Sequence, residues 1–473
     1  MTGLLGGIFI VLLHLLGALS GLMALMSSRT SQGAVAWIIS LVTFPYLAIP
    51  AFWIFGRPRF YGYVSAREER DSKLRRALIP YRRRVDPWAT VPEQAAARVR
   101  AVERLAMMPM TRGNQARLLI DGQATFESIF AGLDDACDYV LIQFFIVRDD
   151  RLGREFKRRM MRCAERGVRV FFLFDEIGSR KLPDQYLDEL REAGVEVHHF
   201  GSSRGWRHRF QVNFRNHRKI VVVDGQEGWI GGLNVADEYR GGNKRYGEWR
   251  DTHLKLLGPS VLGLQEAFWE DWYWASGDIL SLQWRPEPVA ADQHVVIVPS
   301  GPADRQETAS LLMQHVIHGA QQRIWITSPY FVPDQGVQDA LKLAALRGVD
   351  VRVVIPERPD HLLVFLSAFS FLGDMIRAGV HIYRYQPGFL HQKVFLADDH
   401  TAAVGTVNLD NRSFRLNFEV TAYVADQGFA GEVEAMLLAD LERCRQVTLE
   451  EITHRPLWHK LAARAAYLAA PVQ

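Results

Sequence analysis

The chain has 473 residues, too many for one ordinary domain, and its composition of 48% hydrophobic and 23% charged residues is that of a folded protein. A net charge of +3 gives no argument for a nucleic-acid partner. The three cysteines, Cys137, Cys163 and Cys444, are scattered and form no CxxC pair. They indicate reduced thiols and give no case for a disulfide framework or a thiolate metal site.

Two uncharged apolar runs begin the chain, from Gly3 to Met26 and from Val35 to Gly56. Each is long enough for the roughly 20 apolar residues that cross the hydrocarbon core of a bilayer, so the sequence predicts two transmembrane helices. One alternative is a signal peptide, but a basic start and a clear cleavage site are missing. The other is a helical hairpin that is buried in a soluble core.

The second apolar run contains two prolines that should bend its helix and three aromatic residues whose locations can be predicted. Pro45 and Pro50 are expected to kink its helix. Trp37, Tyr46 and Trp53 suit the membrane interfaces, and the two tryptophans are equally suited to packing between the helices.

The Lys and Arg residues near the two runs predict their orientation. The connecting loop contains only Arg29, whereas residues 57–84 contain ten Lys or Arg and three acids. Because positive charge concentrates on the cytoplasmic side, we expect the large C-terminal part and the short N-terminus in the cytoplasm. The basic segment suits anionic headgroups, at about 1 kcal/mol per basic residue, or equally a solvated charged helix.

From about Asn114 the chain repeats itself. The stretch "YVLIQFFIVRDD" from Tyr139 is matched by "RIWITSPYFVPD" from Arg323, and "REAGVEVHHF" from Arg191 by "IRAGVHIYRY" from Ile376. These patterns are typical of helix ends followed by turns and buried strands. Helices that alternate with short apolar strands predict an α/β architecture, and we expect two units that each have their own sheet.

These patterns divide the chain into six segments. They are a two-helix transmembrane anchor at 1–56, a basic juxtamembrane and connecting segment at 57–113, a first α/β domain at 114–274, a linker at 275–293, a second α/β domain at 294–454 and an amphipathic C-terminal tail at 455–473. The tail suits either the membrane interface or packing on its own domain.

The two repeats differ in length before the most informative motif. Gly194 and His217 are 23 residues apart, whereas Gly379 and His391 are 12 residues apart. The additional segment from Gly201 is rich in Arg and aromatic residues. It suits the entrance for an anionic substrate, or equally a tolerated surface insertion.

Each repeat contains a His-x-Lys-x4-Asp motif with an Asn seventeen residues after the His. One copy consists of His217, Lys219, Asp224 and Asn234, and the other of His391, Lys393, Asp398 and Asn408. On a strand, residues two apart project to the same side, so each His is expected beside its Lys. This group suits a phosphate, because Lys neutralises its oxygens, His attacks phosphorus or moves a proton, and the Asn amide donates to the same oxygens.

A single copy of the motif is chemically incomplete. If one imidazole attacks phosphorus, another group must protonate the departing alkoxide. Two copies face to face supply a nucleophile and a general acid that becomes the general base of a second step. The sequence has no acidic or histidine cluster with metal-ligand spacing, so no metal or other cofactor is expected.

The paired motifs resemble those of the phospholipase D superfamily. The stretches "WRDTH" from Trp249, "SPYFVPD" from Ser328 and "GTVNLDNRSFRLNFEV" from Gly405 resemble bacterial cardiolipin synthases, as does the apolar N-terminus running into "FGRPRF". The resemblance covers nearly the whole chain, and no motif position is missing. It implies two tandem phospholipase D-like α/β domains related by a pseudo-twofold axis, with one active site between them.

The resemblance also implies an activity and the roles of the two histidines. Two molecules of phosphatidylglycerol would give cardiolipin and glycerol through a phosphohistidine, without metal chemistry. His217 would be the nucleophile, and His391 would protonate the leaving glycerol oxygen and then deprotonate the incoming hydroxyl. The partners would be phosphatidylglycerol, anionic membrane lipid and the bilayer, with no nucleic acid, in a multi-pass protein of the bacterial inner membrane.

The remaining motif residues receive supporting roles from the same resemblance. The phosphate would be held by Lys219, Lys393, Asn234 and Asn408. At the strand ends, Asp224 and Asp398 would complete the motif as structural support. Two further acids would each orient the imidazole of the opposite half, Asp251 with His391 and Glu419 with His217. The alternative for these acids is a local salt bridge.

The sequence also offers alternative functions and further candidate residues. A hydrolase of the same superfamily shares the chemistry up to the phosphohistidine, whereas a nuclease fits neither the modest charge nor the anchor. A non-catalytic scaffold would have lost a His or Lys from one motif, and both motifs are intact. His198 and His199 are expected to be structural, and Ser413 suits either a phosphate contact or a turn cap.

Overall fold

The computed structural model describes residues 2–28, 30–56, 84–90, 96–201, 213–241 and 247–473. Arg29, nearly all of the basic segment and most of the Arg-rich insertion therefore lie outside the described residues. Within the described residues, three N-terminal helices precede a mixed α/β body.

The first apolar run forms one long helix, and the second forms two short ones. Helix α1 (Thr2–Ser27) is long and apolar enough to cross a membrane, whereas α2 (Ser31–Thr43) and α3 (Pro45–Phe55) are 13 and 11 residues long. Pro45 begins α3, and its ring moves Phe44 out of the helical region to φ −131° and ψ 58°. The second run is thus interrupted more strongly than the predicted kink. In the described part of the chain, α1 is the one helix of spanning length.

Both tryptophans of the second run pack between the N-terminal helices. The Trp37 ring meets the Phe52 ring edge-on at 5.3 Å between centroids. The Trp53 indole Nε1 donates to the Ser20 hydroxyl at 3.3 Å. Tyr46 is half exposed. The sequence left two positions open for these tryptophans, the membrane interface and the space between the helices, and the structure shows the second.

The first half of the body alternates strands with helices. Its helices are α4 (Ala96–Ala106), α5 (Asp121–Asp135), α6 (Arg151–Glu165), α7 (Asp184–Glu192) and α8 (Val261–Ser276). Its strands are β1 (Thr111–Ile120), β2 (Tyr139–Phe144), β3 (Arg169–Asp175), β4 (Glu196–Phe200), β5 (Arg215–Asn216), β6 (Ile220–Val223), β7 (Glu227–Gly231), β8 (Trp249–Arg250) and β9 (Thr252–Leu257).

The second half repeats this alternation after a segment without helix or strand at 277–292. Its helices are α9 (Thr308–Gly319), α10 (Gln335–Leu346), α11 (Leu362–Arg377), α12 (Asn411–Arg415), α13 (Gln427–Glu442), α14 (Leu449–Thr453) and α15 (Leu457–Tyr467). Its strands are β10 (Gln293–Ser300), β11 (Arg323–Thr327), β12 (Phe331–Val332), β13 (Asp350–Pro356), β14 (His381–Tyr385), β15 (Phe389–Leu390), β16 (Val394–Ala397), β17 (Thr401–Gly405), β18 (Leu409–Asp410), β19 (Asn417–Ala425) and β20 (Cys444–Gln446).

The strand order repeats outward from a central pair, β1 and β10. On one side it is β1-β9-β7-β6-β2-β3-β4, and on the other it is β10-β19-β17-β16-β11-β13-β14, with β20 added at the edge. On both sides the three outermost strands of this series are parallel and the others are antiparallel. The repeat in the sequence is therefore a repeat in topology.

We expected a separate sheet in each half, and this expectation is wrong. Strands β1 and β10 pair antiparallel, with Thr111 opposite Val295 and Asn114 opposite Gln293, and join the halves into one sheet of 16 strands. The Asn114 side chain also donates to the Gln293 carbonyl at 3.1 Å. This pairing satisfies backbone groups that either half would otherwise expose along an edge strand.

Helices cover the sheet on both faces, as β2 illustrates. Its side chains are all buried and alternate between two apolar clusters. Val140 and Ile142 belong to the cluster that contains Phe156 of α6, whereas Leu141 belongs to the cluster that contains Trp272 of α8. The dry sheet is a rigid support for the loops that carry the motifs.

Candidate active site

Short parallel strand pairs bring each His segment against the other half of the chain. Strand β5 pairs with the start of β19, and β15 pairs with β8. The His217 amide donates to the Phe418 carbonyl at 2.9 Å, and the His391 amide donates to the Arg250 carbonyl at 2.8 Å. The two pairings are reciprocal, so both motifs lie at one junction between the halves.

Each imidazole binds a buried carboxylate of the opposite half. The distance from Nδ1 of His217 to Oε2 of Glu419 is 2.8 Å, and that from Nδ1 of His391 to Oδ2 of Asp251 is 2.7 Å. These are the two contacts across the halves that the sequence analysis expects, rather than local salt bridges. Because the carboxylate takes Nδ1–H, Nε2 of each ring is the nitrogen that can attack or transfer a proton.

The imidazoles are held in their neutral form. Burial lowers the pKa of His217 to about 4, although Glu419 opposes the shift. Burial, together with Lys393 and Lys219, lowers the pKa of His391 well below its ordinary value. A neutral ring has a free lone pair on Nε2, which is the state that a nucleophile or a general base needs.

The two lysines turn back onto the motif. Lys219 Nζ donates to the His217 carbonyl at 2.6 Å, and Lys393 Nζ donates to the His391 carbonyl. Burial lowers the pKa of Lys219 well below its usual range and that of Lys393 to about 8. An anion placed between these ammonium groups stabilises their charged form, so the site favours an anionic ligand.

The carboxylates of the two motif aspartates bind the backbone at the starts of strands β2 and β11 and not the histidines. Asp224 and Asp398 have positive φ angles of 52° and 54°. The Asp224 carboxylate accepts backbone N–H bonds from residues 137–139, where β2 begins. The Asp398 carboxylate accepts the corresponding bonds from residues 321–323, where β11 begins. Each aspartate thus holds the strand that follows the His and Lys, β6 or β16, against the neighbouring strand, β2 or β11.

The motif asparagines are used differently in the two halves. Oδ1 of Asn234 accepts from the Ile146 amide at 3.1 Å, and Nδ2 donates to the Tyr239 hydroxyl at 3.0 Å. Oδ1 of Asn408 is buried and, among the described residues, has no hydrogen-bond partner. The Asn408 carboxamide is therefore the freer of the two to contact a ligand.

Several residues of the site were missed from the sequence. The ring of Phe145 lies 5.1 Å from that of His217, and the rings of Trp249 and Tyr239 lie 5.2 and 6.1 Å from that of His391. Tyr239 follows Asn234 by five residues, the offset at which Ser413 follows Asn408. This equal offset is a signal that could have identified Tyr239.

The Ser413 hydroxyl supports a carboxylate. This role was not among the two that the sequence left open for Ser413, a phosphate contact and a turn cap. Its hydroxyl donates to Oε1 of Glu419 at 2.8 Å, and its amide donates to the Asp410 carboxylate at 2.7 Å. The Asn417 side chain also donates to Oε1 of Glu419, at 3.1 Å. The amide contact is a turn cap, whereas the hydroxyl fixes the acid that holds His217.

The residue between His and Lys in each motif faces the opposite side and ties the halves together. Arg218 donates from Nη1 to Asp271 at 2.9 Å and from Nε to the Glu419 carbonyl at 3.0 Å. Gln392 donates to Asp440 of its own half at 2.7 Å and accepts from the Thr252 hydroxyl of the other half at 3.0 Å. This pairing was also missed, although strand alternation predicts that these side chains point away from the site.

His198 and His199 lie among aromatic rings on β4. The His198 ring is 4.9 Å from that of Trp272, and the His199 ring is 6.3 Å from that of Phe174. Neither contact involves the motif residues. Across the described ranges, no group of three or more His, Cys, Asp or Glu side chains is arranged to hold a metal ion.

Comparisons with known proteins agree with the duplicated site. A family model described as "Cardiolipin synthase, PLD-like domain" matches residues 129–244 and 313–441. The chain is 48% identical over 472 residues to cardiolipin synthase A of Pseudomonas putida, with 98% of both chains covered. It is also 48% identical over 475 residues to cardiolipin synthase A of Pseudomonas aeruginosa (strain LESB58), with 98% of this chain and 96% of that one covered.

A solved structure supports the fold. Phosphatidylserine synthase from Haemophilus influenzae Rd KW20 superposes with a TM-score of 0.60 at 15% identity, covering 80% of this chain and 100% of that chain. At that identity the likeness concerns the fold alone. The family match and the relatives over nearly the full length decide the assignment. The chain belongs to the cardiolipin synthases of the phospholipase D superfamily, a family of phosphatidyltransferases.

Proposed function

We propose that the chain transfers a phosphatidyl group from one phosphatidylglycerol to another, giving cardiolipin and glycerol through a phosphohistidine. The observation that supports this proposal best is the pair of buried imidazoles, each bound through Nδ1 to an acid of the opposite half. Two imidazoles with free Nε2 atoms supply the nucleophile and the acid–base group that a two-step displacement requires.

In the first step, Nε2 of His217 attacks phosphorus and the bond from phosphorus to the glycerol oxygen breaks. His391 donates its Nε2 proton to that oxygen, and glycerol leaves. The bound phosphodiester supplies a negative charge that raises the pKa of His391, so the ring can carry this proton when substrate is present. Asp251 balances the imidazolium, as an acid bound to the other ring nitrogen does in related constellations.

In the second step, a hydroxyl of the second phosphatidylglycerol attacks the phosphohistidine. His391, now neutral, takes the hydroxyl proton, the P–N bond breaks, and His217 is restored. We propose that Lys219, Lys393, Asn234 and Asn408 hold the phosphoryl oxygens in both steps. For Asn234 this requires the Nδ2 hydrogen that is not donated to Tyr239.

We also propose a multi-pass protein of the bacterial inner membrane whose catalytic halves are cytoplasmic. The support is the apolar α1, the apolar α2 and α3, and the ten basic residues at 57–84. The proposed segments are 1–56, 57–113, 114–274, 275–293, 294–454 and 455–473, and a pseudo-twofold axis relates the two catalytic ones. Cysteine labelling tests the orientation, because Arg82→Cys should react from the cytoplasmic side. Labelling from outside alone would overturn it.

The decisive experiment incubates the purified chain with radiolabelled phosphatidylglycerol as the sole lipid substrate. Cardiolipin and free glycerol in equal amounts are expected, because each transfer releases one glycerol. Phosphatidic acid as the main product would mean that water is the acceptor, and the proposed transfer would be wrong. The His217→Ala variant is the control for contaminating activity.

A further inference from the structure

Helix α15 near the C-terminus has two apolar faces, only one of which is covered by the protein. The inner face packs on α11 through His459, Ala463 and Ala466, which are buried. The His459 ring meets the Phe369 ring edge-on at 4.7 Å, and the Ser370 hydroxyl donates to the Ala463 carbonyl at 3.2 Å. This packing decides one question left open by the sequence, because the tail does rest on its own domain.

The outer face of α15 is more apolar than the inner face. It is formed by Leu457, Trp458, Leu461 and Leu468, which are 71%, 69%, 61% and 80% exposed. Positions 457, 461 and 468 are separated by four and seven residues, so they lie in one row along the helix. Four large apolar side chains that are this exposed on one helix face indicate a surface that another phase or molecule covers.

Two basic side chains accompany the outer face, one within its row and one beside it. Lys460 and Arg464 are four residues apart, and both are exposed. Each lies one turn away from a leucine of the outer face. An apolar row accompanied by a tryptophan and basic side chains is the pattern of a helix that lies in the headgroup region of an anionic bilayer.

The segment after α15 connects this face to the active site. The Arg412 amide donates to the Gln473 carbonyl at 2.6 Å, and Nη1 of Arg412 donates to the Val472 carbonyl at 3.1 Å. The next residue, Ser413, holds Glu419, which in turn holds His217. The segment that follows the outer face is thus hydrogen-bonded to α12, the helix that contains Ser413 and so supports Glu419.

A second exposed leucine pair lies beside the other half of the site. Leu362 and Leu363, at the start of α11, are 65% and 51% exposed. One residue separates them from Asp360, which accepts the Tyr330 hydroxyl at 2.5 Å and whose charge acts to raise the pKa of Lys393, against the larger effect of burial. Exposed apolar side chains therefore adjoin both the His217 and the His391 sides of the site.

We propose that the outer face of α15 docks on the surface of an anionic lipid bilayer and holds the active site against that leaflet. The bilayer is the occupant that fits best, because the face has a tryptophan, leucines and two basic residues, and because α1 is long and apolar enough to cross a membrane. The proposal rests on the proposed lipid substrate. It gives that substrate a route from the leaflet to the site that avoids transfer through water.

Site-specific labelling tests the contact in the full chain. In a Cys137→Ser background, Leu461→Cys and the control Leu346→Cys receive an environment-sensitive fluorophore. Leu346 is 73% exposed and lies at the end of α10. In vesicles of phosphatidylcholine and phosphatidylserine with spin-labelled acyl chains, we expect quenching at position 461 and none at 346. Equal quenching at both positions, or none at 461, would overturn the proposal.

The same label distinguishes a lipid surface from a second copy of the chain. Protection of position 461 that grows with protein concentration, in detergent and without vesicles, would mean that a second copy covers the outer face. That result would also overturn the proposal. Protection that needs vesicles and is independent of protein concentration supports docking on lipid.

Turnover separates failure of docking from failure of the proposed reaction. The variant Leu457→Gln/Leu461→Gln is compared with Leu346→Gln on vesicles that contain phosphatidylglycerol and on monomeric short-chain phosphatidylglycerol. On vesicles we expect the double variant to lose about tenfold in kcat/KM, and on monomers to equal the control. An equal loss on both substrates, or no loss on vesicles, contradicts docking. Absence of cardiolipin from the native chain with either substrate contradicts the proposed reaction instead.

Discussion

The two halves of the active site share their spacing but differ in what surrounds each imidazole. Glu419, which holds His217, accepts further hydrogen bonds from Ser413 and Asn417. Asp251, which holds His391, accepts from the Thr252 amide at 2.8 Å. The first acid is thus held by a side chain of α12 and one of its own strand β19, and the second by the amide of the next residue together with the Trp249 indole at 3.4 Å.

This difference has an electrostatic consequence. Burial acts to raise the pKa of Glu419, but His217 and Lys219 outweigh it and the pKa is lowered. For Asp251 burial prevails over Lys393, and the pKa is raised. The ionised Glu419 suits a nucleophilic His217, whose Nδ1–H it accepts. The two pairs therefore differ in which influence prevails, burial at Asp251 and the neighbouring cations at Glu419.

The comparison therefore teaches that a duplicated fold does not require a duplicated role. The Ser413 hydroxyl binds an acid, whereas Tyr239 at the corresponding position binds Asn234. The residue at this equal offset therefore fixes the Glu419 carboxylate in one half and the Asn234 carboxamide in the other.

Removing either imidazole is expected to have the largest effect on turnover. His217→Ala and His391→Ala should each lower cardiolipin formation by at least about a thousandfold, because one removes the nucleophile and the other the acid–base group. A substrate with a nitrophenol leaving group separates them, since that group leaves without a proton. With it, His391→Ala should accumulate phosphohistidine and His217→Ala should form none. Label trapped on His391 in the His217→Ala variant would reverse the two roles.

The lysines test whether both halves hold the phosphate equally. Lys219→Met and Lys393→Met should each lower kcat/KM by about a hundredfold, because each removes a buried cation that faces the anion. The control is Asp224→Asn, which weakens the hydrogen bonds between the Asp224 carboxylate and the start of β2. This variant should lose less activity than the lysine variants, and its unfolding temperature should fall. An activity loss for Asp224→Asn as large as that for Lys219→Met would contradict the structural role of the aspartate.

The neutral state of His217 predicts an acid-sensitive fold. Unfolded His217 takes up a proton below its ordinary pKa of 6.5, and the folded residue takes it up only below about 4, so the unfolded chain binds more protons between these values. The free energy of unfolding should therefore fall by about 2 kcal/mol as the pH is lowered from above 6.5 to about 5. Denaturant titrations of the native chain and of His217→Gln measure this term. Equal acid sensitivity of the two would show that His217 does not contribute it.

The motif residues could be predicted from the sequence because their positions follow simple periodicity. His217 and Lys219 are two apart immediately before β6, and the repeat supplied the second pair. The partners Asp251 and Glu419 came from resemblance to a family, since nothing local links residues 140 and 202 positions apart. The family assignment itself is confirmed by the relatives that cover 98% of the chain.

What the sequence missed depends on long-range geometry. The joining of β1 to β10 concerns two edge strands, and local patterns do not specify the partner of an edge. Pro45 predicted a disturbance at the correct residue, but whether a proline kinks a helix or separates two depends on the packing around it. The hydroxyls of Ser413 and Tyr239 act through turns whose direction no periodicity reveals.

The smallest expected effect separates these two hydroxyls. Ser413→Ala removes one donor to Glu419, which concentrates the carboxylate charge on His217 and raises the pKa of that imidazole. We expect kcat to fall about tenfold with little change in KM, and the acid limb of the kcat/KM profile to move to higher pH. Ser413→Thr, which keeps the hydroxyl, is the matched control and should restore both.

The corresponding change in the other half, Tyr239→Phe, removes the acceptor of the Asn234 amide but leaves Glu419 untouched. Because the Asn234 oxygen keeps its bond from the Ile146 amide, we expect a loss of about threefold, mainly in KM, with an unmoved acid limb. The paired profiles of Ser413→Ala and Tyr239→Phe therefore report the asymmetry directly. If Tyr239→Phe moved the acid limb and Ser413→Ala did not, the nucleophile would be served by the half that contains Tyr239. The assignment of His217 and His391 would then have to be exchanged.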